Sequence, residues 1–302
     1  MKSFKSTVLI LLGTFLCSFL GFSKYKVGIT LLPYYSYTKN IVKDKMDVVP
    51  VIPSNVDVHT YHPTANDMKK LTNLDFIVVN GIGHDEFVKP MIRSAMKNNR
   101  KLKVINADSE TSIMNVAGQK RGSTKNPHTF ISITQSIQQI RYIAKRLGQY
   151  DPANKAYYNK NAMQYIAKLR GIKNQELRKV RGYNLSNIKI ATTHAGYDYL
   201  LNEFGLTVSL VIEPHHAQAP NASDLAYAIN KIKKDHIAVL FDEEGGNPKN
   251  AMTLHNATGI KVAKLSHMTK GNYTADSFEN FIRHDLSNVA NALKSVSKGK
   301  RW

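Results

Sequence analysis

Histidine is the residue type in this sequence that offers the most chemistry. The chain of 302 residues has 11 histidines and one cysteine, which excludes a disulfide framework, a CxxC redox pair and a cysteine-built zinc finger. Three histidines, His59, His128 and His194, lie in polar segments beside predicted strand ends or helix starts. Because imidazole nitrogen is a preferred ligand of Zn²⁺ and similar divalent cations, these residues indicate a metal site built from nitrogen donors.

Two of these histidines follow predicted strands. His59 comes after the apolar run 47–52 and before a helical pattern at 65–71, and His194 comes directly after the strand pattern 187–192. In open α/β sheets, ligands bind beyond the carboxyl ends of the strands. This placement favours a binding role for both residues, although taken alone each could also be a solvated polar side chain.

His128 lies just before a helix predicted at residues 132–147. Asn126 or Thr129 could cap that helix, because short polar side chains accept hydrogen bonds from the first free N–H groups. His128 would then be an ordinary residue near the first turn. Its local sequence leaves this reading and a ligand role equally open.

Short apolar runs alternate with helical patterns in two separate series along the chain. Such alternation is typical of an α/β fold, and uninterrupted apolar runs are typical of strands buried in parallel sheets. We therefore expect two lobes, each a mostly parallel sheet flanked by helices. The predicted strands are 26–32, 47–52, 75–79 and 103–105 in the first series, and 187–192, 208–212, 237–241 and 261–265 in the second.

A long helix is predicted between the two series. Asp151 and Pro152 are a favourable helix start, apolar residues then recur at steps of three and four, and Gly182 is a favourable stop. About 30 residues at about 1.5 Å per residue give a rod of about 45 Å, long enough to lie along both lobes. Gly171 would allow a kink. The predicted division is residues 24–148 for the first lobe, 149–183 for the connecting helix and 184–302 for the second lobe.

Residues 1–23 have the pattern of a secretory signal peptide. Two lysines precede an apolar run of thirteen residues at 8–20, which is shorter than the roughly 20 residues that span a bilayer. A small-x-small cleavage site follows just before Lys24. Cys17 lies inside the apolar run after two bulky residues, which disfavours lipidation. We expect an extracytoplasmic or periplasmic protein, either free or tethered to the membrane.

Three motifs, in register along the chain, give a more specific indication. The segments HTYHP at 59–63, NPHTF at 126–130 and HAGYDYL at 194–200 resemble the HxYxP, DPHxW and HxAFxYL segments of metal-binding solute receptors of zinc and manganese ABC importers, the ZnuA/TroA-like family. Two further segments, NGIG at 80–83 and PNASDL at 220–225, resemble the NGxG and EPSxxDL segments of that family. The resemblance covers nearly all of residues 25–293.

The resemblance implies a metal site in the cleft between the two lobes. His59, His128 and His194 would be the first three ligands. The family usually supplies a fourth ligand, an aspartate or glutamate, from the loop after the last strand. That loop has no acid here, and His267 is the natural occupant. The alternatives are water or an acid after strand 237–241, namely Asp242, Glu243 or Glu244.

The resemblance also implies a binding protein rather than an enzyme. It would capture a divalent cation and deliver it to an ABC permease and its ATPase in the cytoplasmic membrane, and it would be a monomer. A site of three or four histidines suits Zn²⁺ better than Mn²⁺, which prefers oxygen ligands. We therefore expect Zn²⁺ as the transported ligand, with Mn²⁺ as the alternative.

The other histidines have weaker indications. His62 is expected beside the site or in solvent, and His84 at the surface, where this chain departs from the family. The doublet His215–His216 is expected to be exposed, although it could hold a weak auxiliary metal. The remaining three histidines, His236, His255 and His284, have no supporting context.

Two other classes of function are weighed against the receptor. A secreted zinc hydrolase also uses histidines and an activated water, but its ligands usually lie close together beside a general base. A nucleic-acid-binding protein is suggested by the net charge of +20. The lysines are interleaved with acids along the helices, however, and only 294–301 is a dense basic run. We expect no nucleic-acid partner.

Overall fold

The computed structural model describes residues 24–117, 124–213 and 220–297. Within these ranges the chain forms two four-stranded parallel sheets flanked by helices, as predicted. No helix in the described ranges has both the length and the apolar character needed to cross a bilayer. The predicted signal peptide with Cys17, the doublet His215–His216 and the last part of the basic run lie outside the described residues.

The first lobe is built on a sheet with the strand order β2-β1-β3-β4, in which every neighbouring pair is parallel. Its central strand β3 is buried along its whole length, which explains its uninterrupted apolar sequence FIVV. The strands are β1 Tyr25–Ile29, β2 Met46–Pro50, β3 Phe76–Val79 and β4 Lys103–Asn106. The helices between them are α1 Leu32–Val42, α2 Ala65–Leu71 and α3 Val88–Asn98.

The second lobe repeats this arrangement with the strand order β6-β5-β7-β8, again all parallel. The two sheets thus share one topology, in which the first strand of each series lies between the second and the third. The strands are β5 Lys189–His194, β6 Val208–Glu213, β7 Ile237–Glu243 and β8 Lys261–Leu265. The helices between them are α6 Asp198–Asn202, α7 Ala222–Asp235 and α8 Lys249–Thr258.

The long helix α4 Ile133–Tyr150 packs on α1 and on α5 Lys155–Arg178, and two helices, α5 and α9 Ser277–Val296, join the lobes. The predicted connecting helix is α5, which continues unbroken through Gly171. Its 24 residues give about 36 Å, shorter than expected. The first predicted turn forms a separate 3₁₀ helix, Pro152–Asn154, in which the Asp151 carboxylate accepts a hydrogen bond from the Asn154 amide at 2.8 Å. The lobe boundaries at 148 and 184 stay a prediction.

Two local expectations were wrong. Strand β1 ends at Ile29 rather than at residue 32, because Pro33 lies in the first turn of α1 and its fixed φ favours a helix start there. The cap of α4 is Ser132, whose hydroxyl accepts a hydrogen bond from the Gln135 N–H at 3.2 Å. Asn126 and Thr129 are therefore available for other contacts.

The larger apolar core extends through both lobes. It includes buried side chains of β1 and β3, of the joining helices and of β7 and β8. Helix α9, expected to belong to the second lobe, also packs on the first: the rings of Tyr37 on α1 and Phe278 on α9 meet edge to face with centroids 4.8 Å apart. A smaller second core lies between the sheet of the second lobe and helices α7 and α8.

Candidate metal centre

The loops at the carboxyl ends of the two sheets bring five histidines together. His59 lies in the loop after β2, His84 in the turn after β3, and His128 in the loop before α4. From the second lobe, His194 is the last residue of β5 and His267 lies two residues after β8. We refer to His59, His84, His128, His194 and His267 as the histidine cluster.

The four histidines predicted from the sequence all lie in this cluster, two from each lobe. Every pair of their rings has centroids between 4.6 and 5.8 Å apart. The shortest of these separations joins His194 to His267, and the longest joins His59 to His194. Histidines up to 208 positions apart in the sequence therefore converge on one small volume (residues 59 and 267).

The contact between His128 and His194 has dimensions that a metal ion would accept. Their Nε2 atoms lie 3.1 Å apart, and this contact joins the two lobes. Two imidazole nitrogens bound to one zinc ion at about 2.0–2.1 Å would lie about 2.9 Å apart at a right angle and about 3.3 Å apart at a tetrahedral angle. The observed separation falls between these values.

His84 is not at the surface, so that expectation was wrong. The side chain is 2% exposed, and its ring centroid lies 4.7 Å from His59 and 4.8 Å from His128. One ring nitrogen from each of His59, His84, His128 and His267 can be chosen so that all four atoms lie within 4.8 Å of one another. His84 therefore belongs to the buried part of the cluster.

Asn126 orients His128. Its Oδ1 atom lies 2.8 Å from His128 Nδ1 and also accepts a hydrogen bond from the His128 backbone N–H at 3.1 Å. In this arrangement Nδ1 carries the proton and Nε2 is the nitrogen available to a cation, the usual way in which a ligand histidine is held. Burial, followed by the nearby histidines, holds the pKa of His128 well below its ordinary value, so that the ring stays neutral.

The same asparagine crosses between the lobes. Its amide donates hydrogen bonds to the Ala195 carbonyl at 2.9 Å and to the Asp198 carboxylate at 2.7 Å, both at the start of the second lobe. Gly196 lies at this crossing. A Cβ atom there would be 2.7 Å from the His194 ring and 3.1 Å from the His128 ring. Only glycine leaves room for the two imidazoles.

A buried polar network supports the first-lobe histidines. Asn80 at the end of β3 donates hydrogen bonds to the Asp108 carboxylate at 2.8 Å and to the Pro127 carbonyl at 3.0 Å. The hydroxyl of Thr129, beside His128, donates to Asp108 at 2.8 Å. Burial raises the pKa of Asp108 to about 7. The loops that carry His84 and His128 are therefore joined beneath the cluster.

The second-lobe histidines are held by shorter local contacts. The Thr193 hydroxyl donates to Asp242 at 2.9 Å, next to His194 in β5. Beside His267, the Ser266 N–H donates to the buried Asp285 carboxylate on α9 at 2.8 Å. His194 thus takes its position from a strand and His267 from a two-residue extension of a strand.

Of the three acids considered as a fourth ligand, only Glu243 lies beside the cluster. Its Oε1 atom is 3.8 Å from His267 Nδ1, and burial, as the largest cause, raises its pKa to about 7. Asp242 is engaged by Thr193 and by an ion pair with Lys264. Glu244 instead lies 3.1 Å from His284 Nε2 at the surface.

The other histidines in the described residues lie in ordinary structural positions. His62 is exposed, as one of the two expected outcomes had it. His236 ends α7 with a left-handed backbone, φ 55°, and His255 Nδ1 lies 2.8 Å from the Ile260 carbonyl oxygen. The five histidines of the cluster thus come together because of where they lie, at the carboxyl ends of the two sheets, and not because the chain is rich in histidine.

A site of this kind can bind a divalent cation that accepts nitrogen ligands. Among the described residues it offers up to five imidazoles, with the carboxyl group of Glu243 beside His267. Neutral imidazoles suit Zn²⁺, Ni²⁺, Co²⁺ and Cu²⁺ better than cations that prefer oxygen.

Comparison with known proteins gives concordant matches. The ZnuA family profile, described as zinc-uptake complex component A, periplasmic, matches residues 27–292. The high-affinity zinc uptake system protein ZnuA of Bacillus subtilis is 29% identical over 255 residues, 80% of this chain and 78% of that protein. The manganese ABC transporter substrate-binding lipoprotein PsaA of Streptococcus mitis is 24% identical, and the match covers 89% of each chain.

Solved structures agree in fold. The substrate-binding protein FpvC of Pseudomonas aeruginosa, solved in complex with Mn²⁺, superposes with a TM-score of 0.84 at 38% identity, covering 90% of this chain and 99% of that one. A second structure of FpvC holds Ni²⁺. The relatives therefore span zinc, manganese and nickel in their names and contents.

Proposed function

The chain belongs to the ZnuA family of metal-binding ABC-transporter substrate-binding proteins, and from this membership we propose that it captures Zn²⁺ outside the cytoplasmic membrane and delivers it to an ABC permease with its ATPase. In this proposal His59, His128, His194 and His267 are ligands of the transported ion. The protein acts as a monomeric receptor, and the metal is its cargo rather than a resident cofactor.

One observation carries the proposal: four histidines, two from each lobe, have ring centroids no more than 5.8 Å apart. Like-charged imidazolium groups would repel one another at such distances, so the cluster favours neutral rings. Neutral rings directed at one volume offer the lone pairs that a cation needs. A purely structural role would not require two lobes to contribute to the same cluster.

The donor set supports Zn²⁺ over Mn²⁺. Zinc binds imidazole at about 2.0–2.1 Å and is satisfied by four nitrogen ligands, whereas manganese favours carboxylate, carbonyl and water oxygens. Divalent-metal affinity for such sites also rises from Mn²⁺ towards Cu²⁺, with Zn²⁺ above Mn²⁺. The acid beside His267, Glu243, has a pKa raised by burial to about 7, which disfavours its charged form.

Because the site lies between the lobes, a permease could distinguish the metal-loaded protein from the metal-free protein. A cation bound by His128 and His194 joins the two lobes where Asn126 already crosses between them. Binding therefore lowers the free energy of one relative position of the lobes. The loaded protein then populates that position more than the empty protein does. A permease that contacts both lobes would favour the loaded form.

The test is a competition titration of the metal-free, full-length protein with Zn²⁺ and Mn²⁺ against a chromophoric chelator. We expect one Zn²⁺ per chain and an affinity for Zn²⁺ at least about a hundredfold above that for Mn²⁺, following the nitrogen-rich donor set. Equal or tighter Mn²⁺ binding would contradict the proposal. Metal analysis of the protein isolated from the cell envelope is the matching measurement in vivo.

A manganese receptor is the second candidate, and Glu243 is the observation that favours it. Its carboxyl group lies 3.8 Å from His267 and could supply the oxygen ligand that Mn²⁺ prefers. In that case Glu243→Gln would lower Mn²⁺ affinity sharply and leave Zn²⁺ affinity almost unchanged.

A secreted zinc hydrolase is a further alternative with a simple test. Zinc-dependent turnover of ester, phosphate or lactam substrates by the purified protein would favour the enzyme over the receptor. We expect no such turnover. Cell fractionation would test the extracytoplasmic location, and sedimentation the monomeric state.

A further inference from the structure

His84 lies in a turn whose backbone has positive φ at two glycines. The turn follows β3, a central strand of the first sheet, and its backbone has positive φ at Gly81 (87°) and Gly83 (123°). Residues other than glycine rarely adopt these angles. A Cβ atom at Gly81 would also lie 2.9 Å from the Asn106 Cβ atom. The turn that carries His84 therefore favours glycine at positions 81 and 83.

Hydrogen bonds then fix the backbone of His84. The side-chain oxygen of Asn80 accepts from the N–H groups of Ile82 and His84, each at 3.2 Å. The next residue, Asp85, is fully buried, and its carboxylate accepts from the Asn80 N–H at 2.8 Å and from the Thr30 hydroxyl at 2.5 Å. The residues on both sides of His84 are thereby held to the sheet.

The ring is directed into the cluster. Its centroid lies 4.7 Å from His59, 4.8 Å from His128 and 5.7 Å from His267. Two nitrogens on opposite sides of one zinc-sized cation would be about 4.1 Å apart. The set of four nitrogens from His59, His84, His128 and His267, all within 4.8 Å, therefore has nearly the size of one coordination shell.

A packing role is the competing explanation. The rings of His84 and Phe130 meet edge to face, with centroids 4.7 Å apart and planes at 89°. An apolar side chain would pack against Phe130 equally well, and without the cost of burying a polar ring. Packing against Phe130 does not explain why the His84 ring lies against three other imidazoles.

We propose that His84 is a fifth imidazole ligand of the transported ion and that it extends the cargo to cations that take five or six ligands, Ni²⁺ and Co²⁺, in addition to Zn²⁺. The proposal rests on the proposed function and adds a coordination number and a substrate class to it. Zinc is satisfied by the other four histidines, so it gains little from His84. Nickel and cobalt gain a fifth nitrogen ligand from it.

The test compares the wild-type protein with His84→Ala, using His62→Ala as the control because His62 is exposed and lies only three positions from His59. We expect His84→Ala to lower Ni²⁺ affinity at least about tenfold and Zn²⁺ affinity less than about threefold, a split that loss of one ligand produces. Equal losses for both metals would overturn the proposal, because a structural defect acts on both alike.

Cobalt gives an independent spectroscopic reading. Five-coordinate Co²⁺ absorbs less intensely in the visible range than tetrahedral Co²⁺. We expect weaker bands in the wild type and more intense bands in His84→Ala. Intense bands in the wild type, unchanged in the variant, would overturn the proposal.

A measurement on the wild type alone covers the case in which His84→Ala fails to fold. Each imidazole bound to Co²⁺ gives one paramagnetically shifted, solvent-exchangeable N–H signal in the proton NMR spectrum. Five such signals support His84 as a ligand, and four overturn it. The proposed function is tested separately, by comparing the Zn²⁺ and Mn²⁺ affinities of the wild-type protein.

Discussion

The two lobes share one strand order but hold their parts of the histidine cluster in different ways. In the first lobe His59, His84 and His128 all lie in loops, and two of those loops are joined through the buried Asn80–Asp108 pair. In the second lobe His194 ends a strand and His267 follows one by two residues. The two lobes therefore have the same topology but hold their histidines in place by different contacts.

The difference indicates where rigidity comes from on each side. A strand fixes its last residue through the sheet itself, so the second lobe needs few extra contacts near the cation. A loop residue has no such ladder and must be held by side-chain hydrogen bonds, which are most effective when they are buried. The first lobe accordingly has buried polar groups beneath its histidines, and we expect substitutions there to be the more costly.

The largest expected effect is on metal affinity, from substituting one central ligand in each lobe. His128→Ala should weaken Zn²⁺ binding at least about a hundredfold and His194→Ala at least about tenfold, since His128 is fully buried and lies at the crossing of the lobes. Competition titration measures both, and His62→Ala should match the wild type. Unchanged affinity would remove that histidine from the site.

Stability should separate the two lobes next. Asn80→Ala removes hydrogen bonds to Asp108, to Pro127 and to the turn, leaving buried groups unsatisfied, and should cost about 2–4 kcal/mol. Asp285→Asn in the second lobe should cost less than about 1 kcal/mol. Burial holds the pKa of Asp285 well above its usual value, and the amide oxygen can still accept from Ser266. Urea unfolding of the metal-free proteins measures both, and equal losses would contradict the comparison.

The pH dependence of binding comes third. Protons compete with the cation for imidazole, so Zn²⁺ affinity should fall between pH 7.5 and 5, by up to about tenfold per pH unit for each ring that must lose a proton. The pKa of His128 is lowered, so this ring is neutral already and competes least. His128→Ala should therefore lower affinity without flattening the profile. A flat wild-type profile would indicate carboxylate ligands instead.

The smallest effects are expected from the acids of the second lobe. Glu243→Gln should change Zn²⁺ affinity by less than about threefold, because the carboxyl group neighbours His267 without being needed as a ligand, an effect below that usual for groups that orient a ligand. Glu244→Gln, at a surface position, is the matched control and should have no effect. A loss of tenfold or more for Glu243→Gln would make this glutamate a ligand.

The sequence allowed much of the fold to be predicted, for a physical reason. Strands buried in parallel sheets must be apolar throughout, and such runs are short and well separated here, as FIVV in β3 illustrates. The length of α5 was less predictable, because the contact of Asp151 with Asn154 stabilises a separate 3₁₀ turn before the helix. Apolar spacing alone does not distinguish that turn from a helical one.

Four of the five members of the histidine cluster were predicted, and His84 shows why the fifth was missed. His84 follows a strand, β3, as His59 follows β2 and His194 ends β5, so the rule that ligands lie beyond strand ends covers all three. The two glycines before His84 were a usable signal of a tight turn. The direction of that turn depends on Asn80, whose partners Asp108 and Pro127 are 28 and 47 positions away. Local sequence does not reveal such contacts.

The packing of α9 on α1 bears on how cargo can leave. Phe278 on α9 and Tyr37 on α1 meet edge to face, and α5 packs on both helices, so two helices connect the lobes. A wide jaw-like opening would have to pull those rings apart. We therefore expect the ion to leave past His59, the partly exposed member of the cluster, whose backbone N–H donates to the Asp57 carboxylate at 2.9 Å.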